Sequence, residues 1–220
     1  MGVQNIISLL GGLGLFLFGM KYMSTAINQV AGNKMKDLLE RLTRNRFKGF
    51  FLGVLVTMII QSSSATTVML MGFLNAGIMD LAQTTGVIIG ANIGTTITSV
   101  LIALDVSAIA PICIFIGTVM ALFCKKQQKK NIGQIILGVG ILFFGLKYMS
   151  GDNAMGVLKT SVGFQNFITH TSNPFLGLVI GIIMCSVLQS SSAAIGVLQM
   201  LAMNELMPMN IAIYLIIGVN

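Results

Sequence analysis

The chain has 220 residues, of which 55% are hydrophobic and only 9% are charged, with a net charge of +7 at pH 7. Soluble domains are nearer a quarter charged, and disordered chains combine high charge with low hydrophobicity. The composition therefore excludes an average water-soluble enzyme and a disordered chain. Ten of the 13 basic residues fall within 34–48 and 125–130. Long uncharged apolar stretches between short basic loops indicate a polytopic protein of the lipid bilayer and not a nucleic-acid binder.

Apolar segments long enough to cross a bilayer follow one another along the chain. A crossing helix needs about 20 residues. We predict crossings at 6–20, 84–104, 107–124 and 132–149, and the beginning of another at 210–220. The chain is thus predicted to be an all-α polytopic membrane protein. After the first crossing, the apolar positions of 33–46 share one helical face, so we expect a separate amphipathic helix on the cytoplasmic interface.

Other apolar stretches are too short to cross. The stretches 49–60 and 65–79 are joined by the polar residues Gln61–Ser64, and the same pattern recurs later in the chain. We predict two re-entrant helical hairpins, 47–79 and 174–207, each with a polar tip at membrane depth. Irregular polar backbone is tolerated there only where protein or a water-filled cavity surrounds it.

An internal repeat runs through the chain. The sequence recurs in order at three places: Gly12–Ser24 as Gly138–Ser150 with 8 of 13 positions identical, Gln61–Ala65 as Gln189–Ala193, and Gly90–Asn92 as Gly218–Asn220. We therefore divide the chain into a first transmembrane repeat, 1–130, and a second, 131–220. The second copy stops inside its own motif, so we expect it to be truncated at its C-terminal end.

Parity and charge predict that the second repeat is inverted. Three crossings and one hairpin that returns to its own side change the side of the membrane once per repeat. The segment 25–48 carries six basic residues, whereas its counterpart 151–173 carries only Lys159. By the positive-inside rule the first segment is cytoplasmic and the second is external. Inverted repeats with broken helices are the recurring plan of secondary transporters.

Each hairpin tip offers an amide and three hydroxyls where a helix begins. The first N–H groups of a helix have no intrahelical partner and attract anions, so two such tips could hold one small oxyanion. No Lys or Arg lies within 49–79 or 175–207. An anion at membrane depth then needs co-bound cations, which prefer oxygen ligands. This favours cation-coupled uptake of an anion. The alternative is that the serines serve only helix packing.

The segment Gly90–Thr96 predicts a second polar break in each repeat, in which Asn92 and Asn220 are equivalent. The sequence contains no convincing set of catalytic residues, metal-ligand cluster or phosphate-binding glycine loop. We therefore expect a protein that is not an enzyme and that binds no cofactor.

The two Gln-Ser-Ser-Ser motifs at 61–64 and 189–192, with Gly90–Thr96 between them, resemble the type II sodium–phosphate cotransporter family in its bacterial form. The resemblance covers nearly the whole chain. It implies a symporter that imports inorganic phosphate through the plasma (inner) membrane, with sodium as the coupling ion. Many bacterial members resemble this core plus a cytoplasmic regulatory domain similar to the phosphate-signalling protein PhoU. The sequence leaves open whether the protein assembles into a homo-oligomer.

The resemblance also implies the site residues, because the hairpins of that family carry the substrate and sodium contacts. By position these are Gln61, Ser62, Ser63, Ser64, Gln189, Ser190, Ser191 and Ser192, with Asn92, Thr95 and Asn220 as neighbours. Thr66, or its neighbour Thr67, is a further candidate sodium ligand, but the counterparts are Ala194 and Ile195. The two halves cannot therefore be chemically equivalent.

Two other interpretations stay open at this point. Hydroxyls and helix ends bind oxyanions in general, so the symporter could carry sulfate or a dicarboxylate instead of phosphate. Substrate competition separates these cases. A non-transporting membrane sensor subunit is the rival from a different class, and it would show no sodium-dependent flux.

Overall fold

The computed structural model describes residues 3–42, 46–104, 106–152, 154–170 and 173–220. Within these ranges the regular structure is entirely helical, which confirms the all-α prediction. The α-helices are α1 (Val3–Leu42), α2 (Arg46–Ile60), α3 (Ser63–Asn75), α4 (Leu81–Thr95), α5 (Ile97–Ala103), α6 (Ala110–Phe123), α7 (Gln127–Ser150), α8 (Val162–His170), α9 (Pro174–Leu188), α10 (Ser191–Met203) and α11 (Met209–Val219). Short 3-10 turns cover Val106–Ile109 and Met155–Thr160.

Three segments of the described chain are long and apolar enough to cross a membrane: Val3–Ala31, Leu81–Ala103 and Gln127–Thr160. These segments contain the predicted crossings 6–20 and 132–149 completely, and the predicted crossing 84–104 except for residue 104. The chain therefore has the make-up of a membrane protein. The predicted crossing at 107–124 is a shorter apolar helix, Ser107–Phe123.

The first helix is longer than predicted. The structure has one continuous helix from Val3 to Leu42, so the prediction of a separate amphipathic helix over 33–46 is wrong. A helix continues until a residue or a cap stops it, and between Met20 and Asn33 the chain contains no proline. Residues 43–45 of the predicted segment lie outside the described residues, and Arg46 already begins α2.

Local capping chemistry explains where several helices begin. A carboxylate oxygen of Asp80 accepts the Gln83 N–H at 2.7 Å, and the Gln83 side-chain oxygen accepts the Asp80 N–H at 2.9 Å. This reciprocal capping box starts α4. At α9, the Asn173 side chain accepts the Phe175 N–H at 3.0 Å, and Pro174 occupies the first helical position. Proline is favoured there because its missing N–H would have had no partner.

Contacts divide the chain into two compact units. The first consists of Met1–Met20, Asp105–Ile114 and Gly138–Asn220, and the second of Lys21–Leu104 and Phe115–Leu137. Each unit contains one pair of helices interrupted at a Gln-Ser-Ser-Ser motif, α9–α10 in the first and α2–α3 in the second. The repeat boundary between 130 and 131 follows the sequence and stays a prediction.

In the second unit, α2 packs along α4 at backbone contact distance. A Cβ atom added at Gly53 would overlap the Val87 backbone, and one added at Gly90 would overlap the Phe50 backbone. Glycine is required at both positions because any larger residue would push the helices apart. Close contact of the two helices buries Val56, among other apolar side chains, and fixes where the end of α2 lies.

In the first unit, α9 packs along α11 through the equivalent residues. A Cβ atom at Gly181 would overlap the Leu215 backbone, and one at Gly218 would overlap the Leu178 backbone. Each of these four residues lies 128 positions after its counterpart in the α2–α4 pair. The sequence repeat is therefore also a repeat of helix packing.

Candidate functional site

The first Gln-Ser-Ser-Ser motif interrupts the helix between α2 and α3. Gln61 adopts a left-handed conformation with φ of 59°, and its N–H donates to the Thr57 carbonyl at 2.8 Å. Ser62 is then extended, with φ of −148°, and its Oγ accepts the Ala65 N–H at 3.2 Å, which caps α3. A positive φ is uncommon for a residue with a side chain, and such conformations cluster at functional sites.

The side chain of Gln61 is held at both ends of its amide. Its Nε2 donates to the Met58 carbonyl at 2.6 Å, and its Oε1 accepts the Thr98 hydroxyl at 2.7 Å. Thr98 is 2% exposed and lies on α5. Sequence reasoning missed Thr98, although it stands only two residues after the Gly90–Thr96 motif.

A buried pair of threonines lies behind the same break. Thr57 donates its hydroxyl to the Thr66 Oγ1 at 3.2 Å, and Thr66 donates in turn to the Ser62 carbonyl at 3.0 Å. Both threonines are fully buried. Thr66, which was predicted as a polar site residue, thus has a hydrogen-bond partner in Thr57. Sequence reasoning did not single out Thr57.

Helix α1 satisfies the carbonyl that ends α2. The Ser24 hydroxyl donates to the Ile60 carbonyl at 3.1 Å, and Asn28 Nδ2 approaches the same oxygen at 3.5 Å. The last carbonyls of a helix lack an intrahelical partner, so these donors stabilise the helix break. Ser24 belongs to the repeated Gly12–Ser24 sequence, which could have indicated it.

The second Gln-Ser-Ser-Ser motif interrupts the chain between α9 and α10 in the same way. Gln189 has φ of 55°. Its N–H donates to the Cys185 carbonyl at 2.8 Å, and its Nε2 donates to the Ser186 carbonyl at 3.0 Å. Ser190 is extended and caps α10 by accepting the Ala193 N–H at 3.2 Å. The two breaks therefore share the same backbone conformation and the same type of helix cap.

The two breaks differ in the polar groups behind them. Cys185 and Ala194 stand where the first break has the hydrogen-bonded threonines Thr57 and Thr66. Both belong to an apolar cluster with residues of α9, α10 and α11. Only the first of the two breaks therefore has the hydroxyl pair. This agrees with the expectation, based on Thr66, that the two halves of the chain are not chemically equivalent.

The remaining predicted residues differ in how exposed they are. The serines after each cap occupy the first turn of α3 or α10; Ser64 is exposed, whereas Ser63, Ser191 and Ser192 are half-buried. Asn92 and Asn220 are exposed. Thr95 is buried and donates its hydroxyl to the Ala91 carbonyl at 3.1 Å.

The predicted polar break over Gly90–Thr96 is mostly helix. Helix α4 continues through both glycines to Thr95, and only Thr96 separates it from α5. The physical reason is that Gly90 and Gly94 allow α4 to approach the α2 backbone closely. Such an approach does not require the helix to be interrupted. In the second copy α11 likewise continues through Gly218 to Val219.

A family model described as Na+/Pi-cotransporter matches residues 15–151 and 160–220. The chain belongs to the Na+/Pi-cotransporter family. Both helix breaks lie within the matched residues. The resemblance predicted from the two Gln-Ser-Ser-Ser motifs is thereby confirmed.

Several curated relatives align with this Na+/Pi-cotransporter family member. "Uncharacterized protein YqeW" of Bacillus subtilis is 28% identical over 93% of the chain and 66% of its own length. "Putative inorganic phosphate export protein YjbB" of Escherichia coli K12 is 26% identical over 98% of the chain and 40% of its own length. The human "Sodium-dependent phosphate transport protein 2B" is 32% identical over 47% of the chain and 15% of its own length. The chain thus spans 66% or less of each of these relatives. No solved structure matches it.

Proposed function

We propose that the protein is a sodium-coupled symporter that imports inorganic phosphate across the plasma membrane, as a multi-pass protein. The observation that carries this proposal is the twin helix break, with Gln61 and Gln189 in the same left-handed conformation and Ser62 and Ser190 as caps. Membership of the Na+/Pi-cotransporter family supports the substrate and the coupling ion.

The chemistry of each break suits an anion together with a cation. Helices α3 and α10 begin at the breaks, so their first N–H groups offer donors to an oxyanion. No Lys or Arg lies within 49–79 or 175–207 to balance the charge. Amide and hydroxyl oxygens are ligands that a hard monovalent cation accepts. Sodium would then supply the missing positive charge, and no other cofactor is needed.

We assign substrate and sodium binding to the two breaks and their neighbours. The Oγ atoms of Ser62 and Ser190 accept a cap hydrogen bond but still carry a proton to donate. The Thr95 hydroxyl oxygen keeps lone pairs for a cation, although its proton is used. The proposed site residues are Gln61, Ser62, Ser63, Ser64, Thr66, Asn92, Thr95, Gln189, Ser190, Ser191, Ser192 and Asn220.

The proposal includes the predicted membrane organisation. The repeats 1–130 and 131–220 are inverted, and the hairpins 47–79 and 174–207 are re-entrant. The excess of basic residues in 25–48 over 151–173 supports the inversion. A PhoU-like cytoplasmic domain in the complete protein and assembly into a homo-oligomer belong to the same proposal.

Transport in the outward direction is the second candidate, because the relative from Escherichia coli is named as a phosphate export protein. The test uses proteoliposomes that contain the protein expressed from its complete reading frame. Labelled phosphate uptake is measured under an inward sodium gradient and under a matched potassium gradient. Efflux is measured from loaded vesicles under the same two gradients.

Uptake that requires the inward sodium gradient, and that sulfate and succinate fail to inhibit, is the expected result. Efflux without sodium-dependent uptake would replace import by export. Inhibition by sulfate or succinate would broaden the substrate to other anions. Absence of flux in both directions from folded protein would favour a non-transporting sensor and overturn the proposal.

A further inference from the structure

We propose that Thr98 is the positioning residue for Gln61 at the first helix break and thereby sets the sodium affinity of the transporter. This inference rests on the proposed function. Thr98 lies 37 positions after Gln61, on a different helix, and its hydroxyl contacts the Gln61 amide at 2.7 Å.

The two contacts of the amide determine which way it points. A carbonyl oxygen can only accept a hydrogen bond, so the Gln61 nitrogen must face the Met58 carbonyl, 2.6 Å away. The Gln61 oxygen then faces Thr98, whose hydroxyl donates to it. Thr98 is nearly fully buried, so water does not compete for this hydrogen bond.

This orientation leaves one useful acceptor at the tip. An amide oxygen has two lone pairs, and Thr98 occupies one of them. The second remains for a cation, and amide oxygens are ligands of hard cations. The terminal torsion of a glutamine is broad and roughly two-fold, so without Thr98 the oxygen would lose its fixed direction. Preorganised ligands bind more tightly because less rotational freedom is lost on binding.

The second break lacks this contact in the described part of the chain. Gln189 is exposed and its amide is anchored through Nε2 to the Ser186 carbonyl at 3.0 Å. Its left-handed backbone matches that of Gln61. Within this sequence, the pair Thr57 and Thr66 distinguishes the first break from the second and concentrates ordered oxygen ligands at the first break.

The test measures phosphate uptake against sodium concentration in proteoliposomes of the full-length protein. Thr98→Val keeps the shape of the side chain and removes the donor, whereas Thr98→Ser keeps the donor. Thr85→Val is the matched control, because the Thr85 hydroxyl donates to the Leu81 carbonyl within its own helix and is exposed. We expect Thr98→Val to raise the half-saturating sodium concentration about fivefold, the order expected for one lost hydrogen bond. The maximal uptake rate of Thr98→Val should stay within about twofold of the wild-type rate. Thr98→Ser and Thr85→Val should show the same sodium dependence as wild type.

A second readout shows whether Thr98 acts through Gln61. Sodium that binds the folded protein raises its melting temperature, and this rise is compared among wild type, Thr98→Val, Gln61→Ala and the double variant. If Thr98 acts through Gln61, adding Thr98→Val to Gln61→Ala changes the sodium response no further.

Four outcomes overturn the inference, three of them with folded variants. Thr98→Val could titrate as wild type, Thr98→Ser could be as impaired as Thr98→Val, or the double variant could add the two losses. If Thr98→Val does not fold, Thr98→Ala takes its place; failure of both to fold makes the role structural and overturns the inference too. A wild type without any sodium dependence refutes the proposed function, and that result is visible in the wild-type titration alone.

Discussion

Replacing Gly53 by alanine should separate α2 from α4. The added Cβ would lie 2.9 Å from the Val87 carbonyl carbon and 3.0 Å from the Val87 Cα, and nearer still to the carbonyl oxygen. Carbon atoms pack best at about 3.5–4.0 Å. The helices must therefore move apart by at least about 0.5 Å, because the obstructing atoms are backbone and cannot rotate away.

The cost of that displacement is about 1–3 kcal/mol, the usual penalty for an extra methyl group in a closely packed interior. For a chain of this length it lowers the melting temperature by roughly 2–12 °C. The movement also separates Gln61, which directly follows α2, from Thr98 on α5, and their 2.7 Å hydrogen bond cannot survive it unchanged. Sodium-dependent uptake should fall together with stability.

The assay is thermal unfolding in detergent, followed by uptake in proteoliposomes. Gly72→Ala is the matched control, since a Cβ at Gly72 in α3 meets nothing within 4 Å. Its expected melting temperature equals or exceeds that of wild type, because alanine favours helix over glycine. Gly181→Ala should behave like Gly53→Ala, because its Cβ meets the Leu215 backbone. Equal stability of Gly53→Ala and Gly72→Ala would refute the close packing of α2 and α4.

Three smaller perturbations test local contacts by thermal unfolding. Asp80→Ala removes the capping box of α4 and should cost about 1 kcal/mol; an unchanged melting temperature would contradict the cap. Thr57→Val should cost about 0.5–1.5 kcal/mol through its lost hydrogen bond, whereas Cys185→Val at the equivalent position loses none. A loss in both alike would argue against the threonine pair. Ser24→Ala should cost about 1 kcal/mol, and more than Thr25→Ala, whose hydroxyl donates within its own helix. The reverse order would show that Ser24 does not support the helix break.

Patterns local to the chain predicted the helices and the breaks well. The apolar stretches 49–60 and 65–79 correspond to α2 and α3, and the polar Gln61–Ser64 between them marks the interruption. Such a pattern is informative because a serine cap acts on the three residues that follow it. The repeat added a second, independent copy of the same local signal.

Contacts between distant residues were not predictable in the same way. Ser24 reaches Ile60 across 36 positions, and Thr98 reaches Gln61 across 37. Which helix faces meet depends on packing between helices, and no local pattern in the sequence records it. The predicted polar break at Gly90–Thr96 is limited to Thr96 for a related reason, because glycines that permit helix contact and glycines that end a helix look alike in sequence.

The most direct test of the proposed function removes the glutamine from each helix break in turn. Sodium-dependent phosphate uptake is measured for Gln61→Ala and Gln189→Ala, with Gln29→Ala on an exposed position of α1 as control. We predict that uptake is lost in both break variants and retained in the control, with all three proteins folded in the membrane. Wild-type sodium-dependent uptake in either break variant would contradict a role for both breaks in transport.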